Sequence, residues 1–489
     1  MNRIIATFVL AATVLAAPQA MAFCGFYLGG AGADLYANAT QVVLMREGTT
    51  TVLSMQNQYE GPAEDFAMVV PVPVVLMQDD VKTLEPGVFA KIDTLSAPRL
   101  VEYFQADPCI PVYDDQFDSA TNENTVNNAN NGVVVEAQFK VGEYDISILS
   151  ANDSTGLETY LTDNNYNIPM GAAPYFEPYV QSGMYFFVAK VDVALAPKVN
   201  GKTVLSPLRF AYTSEDFALP VRLGMINSQG TQDLIVYTLG RNQRYEVANR
   251  PNVTIPTNIE VVGSVRDSFS NFYQTLFSQT LKANPQAVVT EYAWQASNCD
   301  PCPGPVLDAA DLLTFGADQF TDLENDQSWV VTRLHARYDK DDIAEDLVFR
   351  AANPIVGGRE FVVDPDTGKL EEGAQESDIN NFQGRYIIRN PWTGAVDCAE
   401  PNTNWSSQTE ADQSPNTKGT DVVLDADRNL VPDIIGSVPE LGITGTGVRT
   451  GGTAITSGKS DGGGGCSATG LGAMPFAFGL LLLGWRRRK

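Results

Sequence analysis

The segment QVVLMREGTTTVLSM, residues 41–55, reads as a β-hairpin. Two β-prone runs, Gln41 to Met45 and Thr51 to Met55, flank Arg46-Glu47-Gly48, and glycine suits the backbone of a tight turn. Outward from this hairpin the same signature recurs. Phe66 to Val75, Val133 to Phe139, Tyr144 to Leu149, Met184 to Val193, Phe217 to Leu223, Asp233 to Leu239, Trp329 to Tyr338 and Leu347 to Ala351 are further β-rich runs. Helical patterns are fewer. From Ser264 to Lys282, the residues Phe269, Phe272, Tyr273, Leu276 and Phe277 fall on one helical face, and Ser264-x-x-Asp267 opens the segment like a capping box. Shorter helices are expected at Ala97 to Phe104, Gly156 to Leu161 and Leu307 to Leu313. This mixture implies an α+β fold: a mainly antiparallel β body with a few amphipathic helices.

The two ends read as addresses. A short cationic start (Met1 to Arg3), an apolar run from Ile4 to Ala17 and a small-x-small site at Ala20 and Ala22 make a secretory signal peptide over residues 1–22. Cleavage after Ala22 leaves Phe23 first, so Cys24 is expected as a structural cysteine and not a lipid attachment point. At the other end Gly462 to Gly465 precede Cys466, an apolar stretch from Leu471 to Trp485, and Arg486 to Lys489. That stretch spans about 22 Å as a helix, short of the roughly 20 residues a full crossing needs. The basic cluster would hold that end of the tail on the cytoplasmic side. Between the ends, residues 23–398 read as the folded body, with a subdomain break expected near 195–205. A long polar loop is expected from Asp114 to Gly132, and residues 399–465 read as a low-complexity linker ending in a disordered Gly-rich neck. Residues 466–489 form the hydrophobic tail.

The 489 residues include 32 Lys and Arg against 59 Asp and Glu, a formal charge of −27. Such acidity excludes a sequence-independent grip on nucleic acid, and no nucleic-acid partner is expected. A single histidine rules out every multi-histidine metal site. Export would expose Cys24, Cys109, Cys299, Cys302, Cys398 and Cys466 to an oxidising compartment, where disulfides are the default. With Cys466 in the tail, at most two bridges form in the body. Cys299-Asp300-Pro301-Cys302 is the local pair, because Asp-Pro is turn chemistry. The alternative is a redox-active dithiol at the same two cysteines, which would need the first sulfur exposed to solvent.

Few motifs carry other chemistry. The glycines Gly29, Gly30 and Gly32 follow no strand and read as a turn rather than a dinucleotide loop. In Trp329 to Tyr338, strand alternation places Arg333, His335 and Arg337 on one face, either a solvated row pairing with nearby acids or an anion site. Asp425, Asp427, Asn429 and Asp433 hold positions 1, 3, 5 and 9 of a loop that suits calcium, the one cofactor the pattern admits. They resemble the calcium loops of thrombospondin type 3 repeats, though Arg428-Asn-Leu430 stands where a glycine should make the turn. Three stretches also echo one another: strands ending at Tyr59, Tyr212 and Tyr338 precede Glu64-Asp65, Glu215-Asp216 and Glu345-Asp346, suggesting three similar hairpins.

The runs CGFYLGGAGADLYANATQVVLMREG from Cys24, VLSMQNQYEGPAEDFAMVVPVPVVL from Val52, NQRYEVANRPNVTIPTN from Asn242 and EYAWQASNCDPCPGP from Glu291 resemble an uncharacterised family of exported bacterial proteins, domain of unknown function 2330. The resemblance runs from about Cys24 to Cys398 and implies export and an envelope role, with no functional residues to carry over. The C-terminus resembles the myxobacterial-type (MYXO-CTERM) sorting tags, which implies processing near Cys466. The expectation is an exported cell-envelope or surface protein, structural, adhesive or ligand-binding. Its partners would be signal peptidase, a C-terminal sorting protease and, through the tail, the membrane; the sequence names no ligand. Alternatives are an envelope hydrolase using Asp and Glu residues, or a thiol–disulfide factor using Cys299 and Cys302.

Overall fold

The computed structural model describes residues 26–28, 36–60, 67–105, 107–109, 138–164, 171–192, 194–199, 202–203, 205–227, 231–320, 328–339, 345–360, 370–399, 401, 405–408 and 430–448. The expected signal peptide, the 114–132 loop, Cys24 and the C-terminal tail lie outside them.

An 11-stranded sheet forms the centre. Its middle runs Val288–Gln295, Trp329–Tyr338, Gln232–Arg241, Tyr36–Glu47, Thr50–Glu60 and Leu208–Thr213, with Gln232–Arg241 and Tyr36–Glu47 parallel and the other neighbours in this run antiparallel. The hairpin read from residues 41–55 is its Tyr36–Glu47 and Thr50–Glu60 pair, turning at Gly48 with φ +57, where a Cβ would be strained. Both faces of these strands are covered, which is why they read as continuous apolar runs instead of alternating ones. Val42 and Leu44 join Leu234, Val236 and Leu334 in one core, while Val43 and Met45 join Ile235, Leu239 and Val331 in another.

A five-stranded sheet packs on the first face, in the order Phe26–Leu28, Ala67–Val72, Tyr185–Val191, Tyr144–Leu149 and Gln138–Val141, contributing Met68, Val70, Phe187 and Ile146 to the shared core. Its far side carries helices α2 (Ser154–Asp163) and α3 (Ala173–Gln181) through Leu157, Leu161, Phe176 and Tyr179. Helices α1 (Gly87–Ser96), α4 (Phe269–Ala283) and α5 (Ala309–Phe315) cover the other face of the central sheet. The layers are therefore helix, sheet, sheet, helix, an α+β arrangement whose strand pairs are mostly antiparallel. Among the described residues no helix is long and apolar enough to cross a membrane.

Several expectations need correction. Ala97 to Phe104 is no helix: α1 ends before Pro98, Ala97 takes ψ 144 as the residue before proline should, and Arg99–Gln105 is a strand. The Ser264 capping box is absent. A 3-10 turn, Gly263–Ser268, leads into α4 instead, although the five aromatic and aliphatic residues on its expected face are all buried. The echoed segments do not make hairpins, since each second strand pairs elsewhere: Ala67–Val72 with Tyr185–Val191, and Ala218–Leu219 with Leu347–Ala352. Asp65 lies outside the described residues. The stretch near 195–205 divides no core, because one cluster draws residues from Val42 to Phe349. Within the linker stretch, residues 430–448 are packed: Leu430, Ile434 and Val438 are buried against α4, and Ile434 bridges to Val261.

Among the described residues two disulfides are present, Cys299–Cys302 and Cys109–Cys398. The second lies just beyond a parallel strand pair, Arg99–Gln105 with Arg385–Asn390, whose members meet across most of the chain. Its separation of 289 residues makes it the more consequential for chain entropy. Replacing Cys109 by Ser should lower unfolding free energy by about 2–5 kcal/mol. The Cys299→Ser, Cys302→Ser double variant should lose clearly less, because that bridge closes a short loop. Equilibrium denaturant unfolding of the two variants checks the order.

Candidate functional site

The expected row of Arg333, His335 and Arg337 does share one face of Trp329–Tyr338, but it is not solvated. Arg333 is 0% exposed and His335 7%. Helix α4 covers the row: the His335 ring stacks on Phe277 with centroids 3.9 Å apart, and the Arg337 guanidinium lies 4.7 Å from the same ring centre.

Carboxylates from three other elements meet these cations. Glu291 comes from a β-bulge in Val288–Gln295: Val289 lies opposite His335, yet Tyr292 lies opposite Arg333, leaving Glu291 as the extra residue. Its Oε2 accepts from Arg333 Nε at 2.6 Å. Its Oε1 pairs with His335 Nδ1 at 2.7 Å and accepts from the Tyr273 hydroxyl of α4. Asp233 Oδ1 pairs with His335 Nε2 at 3.0 Å and accepts from Arg337 Nε at 2.7 Å, while Arg337 Nη2 donates to Oδ2 at 3.0 Å. Asp93 of α1 takes a bond of 2.6 Å from Arg333 Nη1 and one of 2.7 Å from the Tyr237 hydroxyl. With His335 protonated, three cations face three carboxylates.

The electrostatics follow from that count. Burial alone would push Glu291 up, but the His335 and Arg333 charges bring it down to about 2. Asp233 is likewise pushed up by burial and held well below the carboxylate range by Arg337 and His335. Burial pulls His335 toward neutrality, and the Glu291 and Asp233 carboxylates outweigh it, so the imidazolium is held above its usual range. Burial, with adjoining carboxylates, raises Tyr237 and Tyr273. Every oxygen of Glu291 and Asp233 is engaged, and the cluster is a closed charge lock.

A second polar knot holds the Cys299–Cys302 loop. Arg99 Nη1 donates to Pro301 O at 2.6 Å, Arg99 Nη2 to Leu95 O at 2.6 Å, and the Gln383 amide to Asp300 O. Cys299 is 8% exposed while Cys302 is exposed. The first sulfur, which dithiol exchange would need at the surface, is thus the covered one. Of the calcium set, Asp433 sits in a 3-10 turn, Val431–Asp433, whereas Asp425, Asp427 and Asn429 lie outside the described residues. Among the described residues no three His, Cys, Asp or Glu side chains gather into a metal-holding group. The processing positions Ala22 and Cys466 also lie outside. So does Gly458-Lys459-Ser460-Asp461-Gly462, a pentapeptide that meets the Gly-x-Ser-x-Gly pattern of a nucleophile elbow.

Alternation located the cationic face, but the partners came from elsewhere. The strand Val288–Gln295 carries one legible signal of the site, a lone acid, Glu291, set among β-branched and aromatic residues.

A family model described as an uncharacterised protein conserved in bacteria (DUF2330) matches residues 18–350. No curated protein is significantly similar. The crystal structure of baculovirus P35 aligns at 10% identity and a TM-score of 0.26, covering 65% of this chain and 98% of that one.

Two outcomes test the lock. Glu291→Gln leaves three buried cations against two carboxylates and should destabilise by about 3–5 kcal/mol in denaturant unfolding. The pH profile has a definite sign. A raised His335 contributes stability fully below its unfolded value of 6.5 and loses it as pH rises through the folded value. Lowered Glu291 and Asp233 contribute above 4.5 and 3.8 and lose it as pH falls through their folded values. Melting temperature should therefore peak between those limits, and His335→Gln should flatten the alkaline decline; an unchanged alkaline slope would contradict the assignment.

Proposed function

We propose that this chain, which belongs to the bacterial family matched above, is an exported protein of the cell envelope or surface that acts by binding or scaffolding. The observation that carries this reading is the Cys109–Cys398 bridge. A disulfide joining residues so far apart is native to oxidising compartments and foreign to a bacterial cytosol. The sequence of residues 1–22 supports passage through signal peptidase, and residues 466–489 support a membrane-held tail that a sorting protease would process near Cys466. Its charge of −27 favours solubility at a surface and repels polyanions.

A hydrolase would call for a carboxyl of raised pKa facing a substrate cleft. The buried Glu291 and Asp233 are instead lowered, with all their oxygens bonded inside the core. A thiol–disulfide factor would call for an exposed Cys299. Both features weigh toward the non-catalytic reading.

Intact mass of the protein recovered from cell fractions tests it. The expected species starts at Phe23, lacks two hydrogens for each of two bridges, and is found in the envelope or medium. A cytosolic product that starts at Met1 with all cysteines reduced would overturn the proposal.

A further inference from the structure

A cleft of about 460 Å³ opens beside the strand Asn252–Thr254, between α4 and the C-terminal segment that packs on it. Its size lies within the usual range for small-ligand sites. It stands apart from the charge lock, and none of the lock's residues lines it.

Two of the three charged groups lining this cleft are matched to each other. Glu246 is held between Arg244 Nη2 at 3.6 Å and Arg350 Nη2 at 2.7 Å, and Arg244 Nε also donates to Asn353 O at 2.8 Å. Glu440, the third, has no ion-pair partner among the described residues and leaves the lining with one negative charge in excess, so no unpaired cation is offered to a ligand. Asn252 has its amide hydrogens committed to Val247 O and Arg250 O. What remains for a ligand is a set of hydroxyls and acceptors. Asn284 donates to Thr280 O and keeps its Oδ1, while Thr280 donates to Leu276 O and keeps its lone pairs. Thr254 and Thr290 line the cleft, and among the described residues neither hydroxyl has a hydrogen-bond partner. Thr290 is 2% exposed. Its hydroxyl is not among the fully enclosed unpaired oxygens of the core, so it opens to the cleft, where water or a ligand can pair with it. Apolar side chains, Val253, Pro256, Ile355 and Leu441, supply the other surface.

We infer that this cleft binds a neutral polyhydroxylated ring, a mono- or disaccharide. Hydroxyls of the ring meet the threonines and Asn284 Oδ1, and its C–H face meets Val253, Pro256 and Leu441. An acidic sugar would find no unpaired counter-charge within. The inference names the ligand of the binding protein proposed above and rests on that reading. Its assay uses purified protein, so failure here leaves the mass and fractionation result intact.

The experiment is titration calorimetry with maltose and N,N′-diacetylchitobiose, against glucuronate and glycerol. At least one neutral disaccharide should bind saturably in the millimolar range or tighter, and glucuronate and glycerol should not. Thr290→Val, which keeps the shape and removes the hydroxyl, should weaken binding about tenfold while leaving the melting temperature equal or higher. If Thr290→Val fails to fold, Thr254→Val is judged by the same loss of affinity. Absence of saturable binding by both disaccharides, equal binding of glucuronate, or full affinity in the folded threonine variant would overturn the proposal.

Discussion

Arg333 is wholly buried, and a buried guanidinium is tolerable only where acceptors meet its N–H groups, which for Arg333 are chiefly carboxylates. Its partners tie together parts of the chain that local propensity could never join. Asp93 lies on α1, Tyr237 on Gln232–Arg241, and Glu291 on Val288–Gln295; through Glu291 the Tyr273 hydroxyl brings in α4. The lock also fixes register. A one-residue slip of Trp329–Tyr338 would carry Leu334 among the carboxylates and drive Arg333 into the apolar layer between the two sheets. Such a slip leaves unmatched charges on both sides, so the alternative pairing is opposed by far more than a lost packing contact.

The position of the lock reflects what each layer can supply. Between the two sheets, the facing side chains are almost all aliphatic or aromatic, and that interface can shift or repack without a large penalty. On the opposite face α1 and α4 bring hydroxyls and a carboxylate close to the strands. Ion networks of this kind contribute little net stability compared with apolar residues of the same volume. Their effect here is on specificity: the apolar interface drives collapse, and the charge lock selects one arrangement from those that collapse permits.

How far the sequence discloses this follows from the range of each signal. Period-two patterns are local, and Tyr144–Leu149 and Trp329–Tyr338 were legible to the residue. The face shared by Arg333, His335 and Arg337 was equally legible. Whether that face meets water was not, because its cover is α4, some fifty residues earlier, and Asp93 is 240 residues from Arg333. The helix expected at Ala97 to Phe104 failed for a local reason that was available: Pro98 turns the preceding residue away from the helical region. The bulge at Glu291 breaks the very periodicity on which a strand is recognised. The packed segment 430–448 is itself rich in aliphatic residues, with Leu430, Ile434 and Val438 buried and Ile435, Leu441 and Ile443 packed beside them, but the polar stretch before it and the glycines within it hide that signal.

The folded unit is longer than the family match. Residues beyond 350 supply the Gln383 and Arg385 strands at the edge of the cores, and Tyr386 packs against Phe269 and Phe272 of α4. They also supply Cys398, the far end of the long bridge, and Ile434 and Val438, which cover α4 from outside. Helix α4 in turn holds Phe277 over His335. A chain cut at the family boundary would therefore uncover the helix that seals the charge lock, and water would reach charges that depend on its absence for their strength. The structural integrity of the matched region thus rests on a C-terminal portion that the match does not include.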